Sequence, residues 1–306
     1  MLLSQDAYKS RAQSTAAILK RNEPVVYDEV ETTSAPQLNL AQRDVYRENG
    51  FLILPDLFSA DEVTGLYDEM QQMRGDFTKT GRAEVIAEPG SGEVRSIFDV
   101  HKLNALFANL VRDPRVLNVA REILGSEVYI HQSRINYKPG FTGKEFYWHS
   151  DFETWHTEDG MPAMRALSCS ILLTDNSDMN GPLMLIPGSQ RHFISCLGET
   201  PDDNYKKSLK KQVAGVPDDF LLSYLADLGG ITSCTGKAGS VVFFDCNTMH
   251  GSNGNITPYP RSNLFFVYNS VENQLQAPVD GLSPRPNYIA ARDDVAALEP
   301  EPFVLP

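Results

Sequence analysis

From residue 127 onward the chain changes texture, and that change limits what it can fold into. Val128–Lys138 is a strand-like run that stops at Pro139-Gly140. Further β-rich runs follow at 164–174, 181–186, 240–245 and 261–270, separated by turns such as Pro187-Gly188-Ser189. Short strands between Gly, Pro and Asn turns predict a β-sandwich or barrel. Helical signals dominate before residue 125, and segregated helices and strands predict an α+β fold rather than alternating βαβ units. The specific expectation is a cupin-like jelly roll over 126–275 within a single domain of 306 residues. Residues 1–125 would support it and 276–306 would form a C-terminal tail. Residues 197–236 interrupt the strands and carry Lys206, Lys207, Lys210 and Lys211. They read equally as a solvated excursion or as a lid over a site.

The supporting half has legible punctuation. Residues 1–40 are polar apart from Val25-Val26-Tyr27 and predict an arm across the outside of the domain. A helix over 41–49 should end at Gly50, and Phe51–Leu54 should form a strand stopped by Pro55. Ser59 followed by Glu62 is a capping box that starts a helix through Arg74, with Val63, Leu66, Tyr67 and Met70 on one face. Residues 75–95 read as loop. Asp113-Pro114 opens another helix, closed by Gly125.

Charge narrows the partners. There are 27 basic and 40 acidic residues, a net −13, which argues against nucleic acid or an anionic membrane surface. No apolar run is long enough to span a membrane, and the N-terminus lacks the basic and apolar regions of a signal peptide. Cys169, Cys196, Cys234 and Cys246 are scattered, without a CxxC, as free thiols of a reducing compartment would be. A cytoplasmic protein is expected.

The chemistry gathers in Phe146–His156. His149 and Asp151 stand two residues apart, and on a strand such residues point to one face. His250, after the apolar run Val241–Phe244, supplies a third candidate ligand. Two His and one carboxylate on one triangular face form the facial triad of non-haem Fe(II) oxygenases. Such a centre needs electrons to use O2, and 2-oxoglutarate supplies them while its far carboxylate needs a cation. Arg261, eleven residues beyond His250, fits as a bidentate clamp, and Ser252 can add a hydroxyl. Lys138 reads equally as a second cation there or as a solvated strand end. Asp151 at the carboxylate position favours hydroxylation over halogenation, which leaves that position to a halide.

His156 competes as a ligand, but its distance from His149 breaks the two-residue period, so a supporting or substrate contact is the better reading. His101 and His192 read as structural or surface residues. Trp148, Trp155, Phe146, Phe152, Phe244 and Phe265 crowd the ligand segments, with Phe146 and Phe152 assigned to the core by default. The rest suit a substrate with delocalised positive charge, oriented by Gln132, Asn136, Glu153 or Asp159. Two further readings stay open on these residues: a non-catalytic metal- or solute-binding barrel, and a Zn(II) hydrolase with Glu153 as its base.

The run 146–165, FYWHSDFETWHTEDGMPAMR, resembles the signature of the ectoine hydroxylases, a branch of the phytanoyl-CoA-hydroxylase-like Fe(II)/2-oxoglutarate dioxygenases. The resemblance continues through Asn180-Gly181-Pro182-Leu183 and Ile186-Pro187-Gly188-Ser189, and again at Phe243–Ser252 and Arg261–Asn269. It implies a double-stranded β-helix, a homodimer, and His149, Asp151 and His250 as iron ligands. It implies Lys138, Arg261, Ser252 and Ser168 on 2-oxoglutarate, and Gln132, Trp155, Phe244 and Phe265 around ectoine. The implied reaction consumes O2 and 2-oxoglutarate, converts ectoine to 5-hydroxyectoine, and releases succinate and CO2. Its product is a compatible solute of osmotic and heat stress. A hydroxylase of another small amino-acid-like molecule, such as proline, is the alternative.

Overall fold

The computed structural model describes residues 6–11, 15–28, 36–78, 80–87, 92–201, 203–208, 214–278 and 281–305. The N-terminal arm contributes a strand, β1 (Ala17–Lys20). Helix α1 (Leu40–Asn49) starts at an Asn39–Gln42 capping box and ends at Gly50, whose φ of 79° only glycine adopts freely. Strand β2 (Phe51–Leu54) follows. Helix α2 (Ala60–Phe77) begins at the Ser59–Glu62 box and runs three residues beyond the expected Arg74. Residues 75–95 are not all loop. They hold β3 (Val85–Ala87) and the start of β4 (Val94–Phe98). Short helices α3 (Val100–Leu103) and α4 (Ala105–Leu110) lead to α5 (Pro114–Leu124), capped by Asp113 and closed by Gly125.

The second half is built from β5 (Val128–Lys138), β6 (Phe146–His149), α6 (Asp151–Asp159), β7 (Ala166–Leu172), β8 (Leu183–Leu185) and β9 (His192–Ser195). After α7 (Tyr205–Ser208), α8 (Asp219–Gly229) and β10 (Thr232–Ser233) come β11 (Val241–Asp245), β12 (His250–Ser252) and β13 (Arg261–Ser270). A seven-stranded sheet runs β2-β11-β7-β13-β5-β4-β3, and a four-stranded sheet runs β10-β8-β12-β6. Neighbouring strands pair antiparallel, as in a jelly roll. Strand β1 adds itself to β9, so the arm is stitched to the barrel by backbone hydrogen bonds.

The main core lies between the helices and the outer face of the large sheet. Leu66 and Met70 of α2 and Val116, Leu117 and Ile123 of α5 bury against Ile135, Cys169, Ile171, Phe243 and Phe266. The space between the two sheets is smaller and more polar, and the site is there. The expected insertion 197–236 is partly helical. Leu225 of α8 packs on Ile186, Ile194 and Met249, while Phe220, Leu228 and Ile231 face outward. Lys210 and Lys211 lie outside the described residues, and so does that part of the lid reading. All four cysteines are buried and unpaired. Among the described residues no helix is long and apolar enough to cross a membrane.

Candidate metal centre and its cavity

Strand pairing places the two histidines. In the ladder between β12 and β6, His250 is the direct partner of His149, and their rings lie 4.2 Å apart. Asp151 reaches the same point by another route. The strand ends at His149, Ser150 caps α6, and Asp151 is the first helical residue. The same-face argument for two strand residues is therefore corrected: a strand-to-helix turn brings the carboxylate round. Asp151 Oδ1 lies 3.7 Å from His149 Nε2, and its Oδ2 lies 3.8 Å from His250 Nε2.

The donor chemistry fits a divalent metal. His149 Nδ1 sits 2.8 Å from the Tyr147 carbonyl, and His250 Nδ1 sits 2.9 Å from the Thr248 carbonyl. A carbonyl only accepts, so Nδ1 carries the proton in both rings and Nε2 is left with its lone pair. Burial, then His250, pushes His149 down to about 3, so its imidazole is neutral at pH 7. One ligand atom from each of the three residues lies within 4.8 Å of the others. Two imidazoles and a carboxylate with this spacing can hold Fe(II) on one face.

A cavity opens beside the histidines. Its walls carry four cations: Arg95, Arg134, Lys138 and Arg261. Arg261 and Lys138 are direct partners across the β13–β5 ladder, so the two expected cations sit side by side. Lys138 Nζ donates to Ser252 Oγ at 2.9 Å and also to the Asn253 carbonyl. Arg261 is buried, and its Nε and Nη1 have no hydrogen-bond partner among the described residues. Burial, then Arg95, lowers it to about 10. A buried guanidinium without a protein anion beside it is a seat for a ligand carboxylate. That is the fit expected for the far end of 2-oxoglutarate.

The remaining expected residues divide. Phe265 lines the cavity with Arg134 over its ring at 5.0 Å. Phe244 stands 5.1 Å from the His250 ring and edge-on to Phe265. Ser168 is buried in β7, between Phe244 and Val267 of its neighbour strands. Gln132 is buried on β5 and donates to the Ile289 carbonyl at 2.7 Å, and Trp155 packs edge-on against His131. Neither Gln132 nor Trp155 lines the cavity. Phe146, assigned to the core by default, instead lines it beside His149 and under Arg95. His156 does not reach the metal centre. Its ring nitrogens meet the Met161 carbonyl and Asp6.

Glu153 and Asp159 were candidates to orient a substrate. Both are held instead by arginines, Glu153 by Arg11 and Asp159 by Arg285. That also removes Glu153 as the base of a hydrolase. Arg95, Ser96, Phe98 and Arg134 were not anticipated in the cavity wall. Arg95, Ser96 and Phe98 lie on β4, inside or next to a stretch read as loop. The β-branched and aromatic residues Val94, Ile97 and Phe98 are the available signal.

Comparison with known proteins agrees with this geometry. Residues 46–263 match the family model for phytanoyl-CoA dioxygenase (PhyH). A protein of Bordetella bronchiseptica named ectoine dioxygenase is 61% identical over 297 residues, covering 97% of this chain and 96% of its own. The chain belongs to the ectoine dioxygenases. Relatives within that family extend to Halomonas elongata, at 50% identity over 95% of this chain and 88% of its own. The crystal structure of the ectoine dioxygenase EctD from S. alaskensis with 2-oxoglutarate and 5-hydroxyectoine is 48% identical, with a TM-score of 0.88, covering 98% of this chain and 100% of that one. The same enzyme with bound Fe superposes with a TM-score of 0.87 at 47% identity. As an ectoine dioxygenase fold, the present chain has its triad where β6, α6 and β12 converge.

Proposed function

We propose that this chain hydroxylates ectoine to 5-hydroxyectoine, using Fe(II), 2-oxoglutarate and O2 and releasing succinate and CO2. The carrying observation is the pairing of two features in one cavity. The two histidines of the His149–Asp151–His250 triad line it, and so does Arg261, whose Nε and Nη1 have no partner among the described residues. Full-length relatives named ectoine dioxygenase support the substrate. The aromatic and cationic lining supports it too, because ectoine joins a delocalised cationic ring to a carboxylate.

Iron bound by the triad, with 2-oxoglutarate and O2, supplies the oxidising power that places one oxygen atom on substrate and one on succinate. The chain's own share is placement. His149, Asp151 and His250 take one face of the metal and leave the other face to cosubstrates. Arg261, with Lys138 and Ser252, holds the far carboxylate of 2-oxoglutarate. Ser168 is its buried neighbour in that reading. Phe244 and Phe265 keep water from the reacting face, while Gln132 and Trp155 act on the substrate's orientation from behind the cavity wall, through the residues they pack against. Arg134 offers its charge to the substrate carboxylate.

The test is an anaerobic Fe(II) reconstitution with 2-oxoglutarate and ectoine, followed by air. A gain of one oxygen atom in ectoine, stoichiometric with succinate, is expected. Succinate formed only with another amino-acid-like molecule, such as proline, would overturn the substrate. We also propose a cytoplasmic homodimer that serves the stress response. Four buried unpaired thiols support the compartment, and the exposed apolar residues of α8 support an association surface. A monomer by light scattering at micromolar concentration would remove the dimer.

A further inference from the structure

Two buried arginines of the N-terminal arm grip the two segments that carry the metal ligands. Arg11 Nε and Nη2 bind both oxygens of Glu153, at 2.9 and 2.6 Å, in a fork. Its Nη1 binds Glu158 at 2.6 Å. Both carboxylates belong to α6, the helix whose first residue is Asp151. Ser10 adds a hydroxyl to Glu153 at 2.6 Å, and Asn204 adds an amide to Glu158 at 2.8 Å. Arg11 itself sits at φ 60°, a left-handed conformation that a side chain adopts at a cost. The guanidinium is buried against α6.

Arg21 does the same at the other ligand. It binds Asp245 at 2.8 Å and the Met164 carbonyl at 2.6 Å. Asp245 accepts the backbone N–H of Asn247 at 2.8 Å, which shapes the turn leading to His250. The two grips are joined. Asn247 accepts a hydrogen bond from Ser150, between His149 and Asp151, at 3.0 Å, and the Phe152 N–H donates to the Cys246 carbonyl at 2.8 Å.

We infer that the N-terminal arm is a positioning element of the metal centre. Arg11 fixes the helix of Asp151 and Arg21 fixes the turn of His250, so the spacing of the ligands is set from outside the barrel. The inference rests on the reading of His149, Asp151 and His250 as the metal site. Neither arginine touches the cavity, and both act through other residues.

The test compares metal affinity in full-length variants, with Co(II) as the probe and its visible bands as the readout. Both lysine variants keep the charge; Arg11→Lys loses the fork on Glu153, and Arg21→Lys loses the simultaneous bonds to Asp245 and the Met164 carbonyl. Glu153→Gln keeps Arg11 paired with Glu158 and serves if Arg11→Lys does not fold. Leu38→Ala, in the main core, is a destabilised control. The expected result is a Co(II) dissociation constant raised about tenfold or more in the arginine variants. Under saturating Fe(II) their kcat should be largely regained, and Leu38→Ala should bind Co(II) normally below its melting midpoint. Affinity within twofold of the unmodified protein in the folded variants, or an equal loss in Leu38→Ala, would overturn the inference. If the unmodified protein binds Co(II) but does not hydroxylate ectoine, the substrate assignment falls and this comparison still stands.

Discussion

Arg261 carries a positive charge into the protein and meets no carboxylate there among the described residues; after burial, Arg95 and Cys234 are what act on its charge. Replacing it with Ala should leave the fold nearly intact, because no partner among the described residues loses a hydrogen bond to its Nε or Nη1. It should raise the 2-oxoglutarate requirement about ten- to a hundredfold, the worth of a charged hydrogen bond, with little change in Fe(II) binding. An initial-rate series in 2-oxoglutarate checks this. Asp151→Ala should behave differently: the triad loses its only anion, and both Co(II) binding and turnover should fall to background. The three ligands were legible in the sequence as residue types at a plausible spacing. The reason first given for two of them was wrong, since Asp151 heads a helix. Ser150 and Glu153 form the hydrogen bond that caps that helix, a local signal hidden inside an aromatic run.

Elements with strong terminators were read well. Asn39 to Gly50, Ser59 to α2 and Asp113-Pro114 to Gly125 each combine a cap with an apolar face. What escaped were elements defined by distant partners. Strand β1 exists because β9 lies alongside it, and β4 because β5 does. Short strands have no local nucleus, and pairing across long separations leaves no period in the sequence. Turns that shape the cavity are more exacting. Gly181 has φ 67°, and a Cβ there would lie 2.4 Å from the Asn253 carbonyl and 3.1 Å from Lys138 Nζ. Gly181→Ala should destabilise by at least ~1–2 kcal/mol and weaken 2-oxoglutarate binding by moving Lys138. Thermal melts and a 2-oxoglutarate titration on the same sample would separate the two effects. Unchanged 2-oxoglutarate binding would free Lys138 from that turn.

The whole molecule stores acid sensitivity in its interior. Burial, then Arg285, pushes His131 down to about 3, and burial, then Lys102, pushes His101 down to about 4. An unfolded chain binds protons at both near pH 6.5, while the native state does not until far lower. Stability from these groups is therefore full above pH 6.5 and is lost as pH falls toward 4 and then 3. Each contributes a slope of about 1.4 kcal/mol per pH unit across its window. Urea midpoints measured from pH 7 to 4 should fall steadily, and His131→Asn should flatten the decline. A midpoint flat down to pH 5 would contradict this account.

The arm's two arginines also impose a schedule on biosynthesis. Arg11 finds its carboxylates 142 and 147 residues downstream, and Arg21 finds its own 224 residues downstream. During translation both side chains leave the ribosome long before their partners exist. The arm must wait in solvent while its partners are made, and Arg21 can lock only after β11 has emerged. A chain interrupted between β9 and Asp245 would thus hold Arg11's partners but lack Arg21's, together with the second histidine. Closure of the Arg21 grip and completion of the metal site are late events that arrive together.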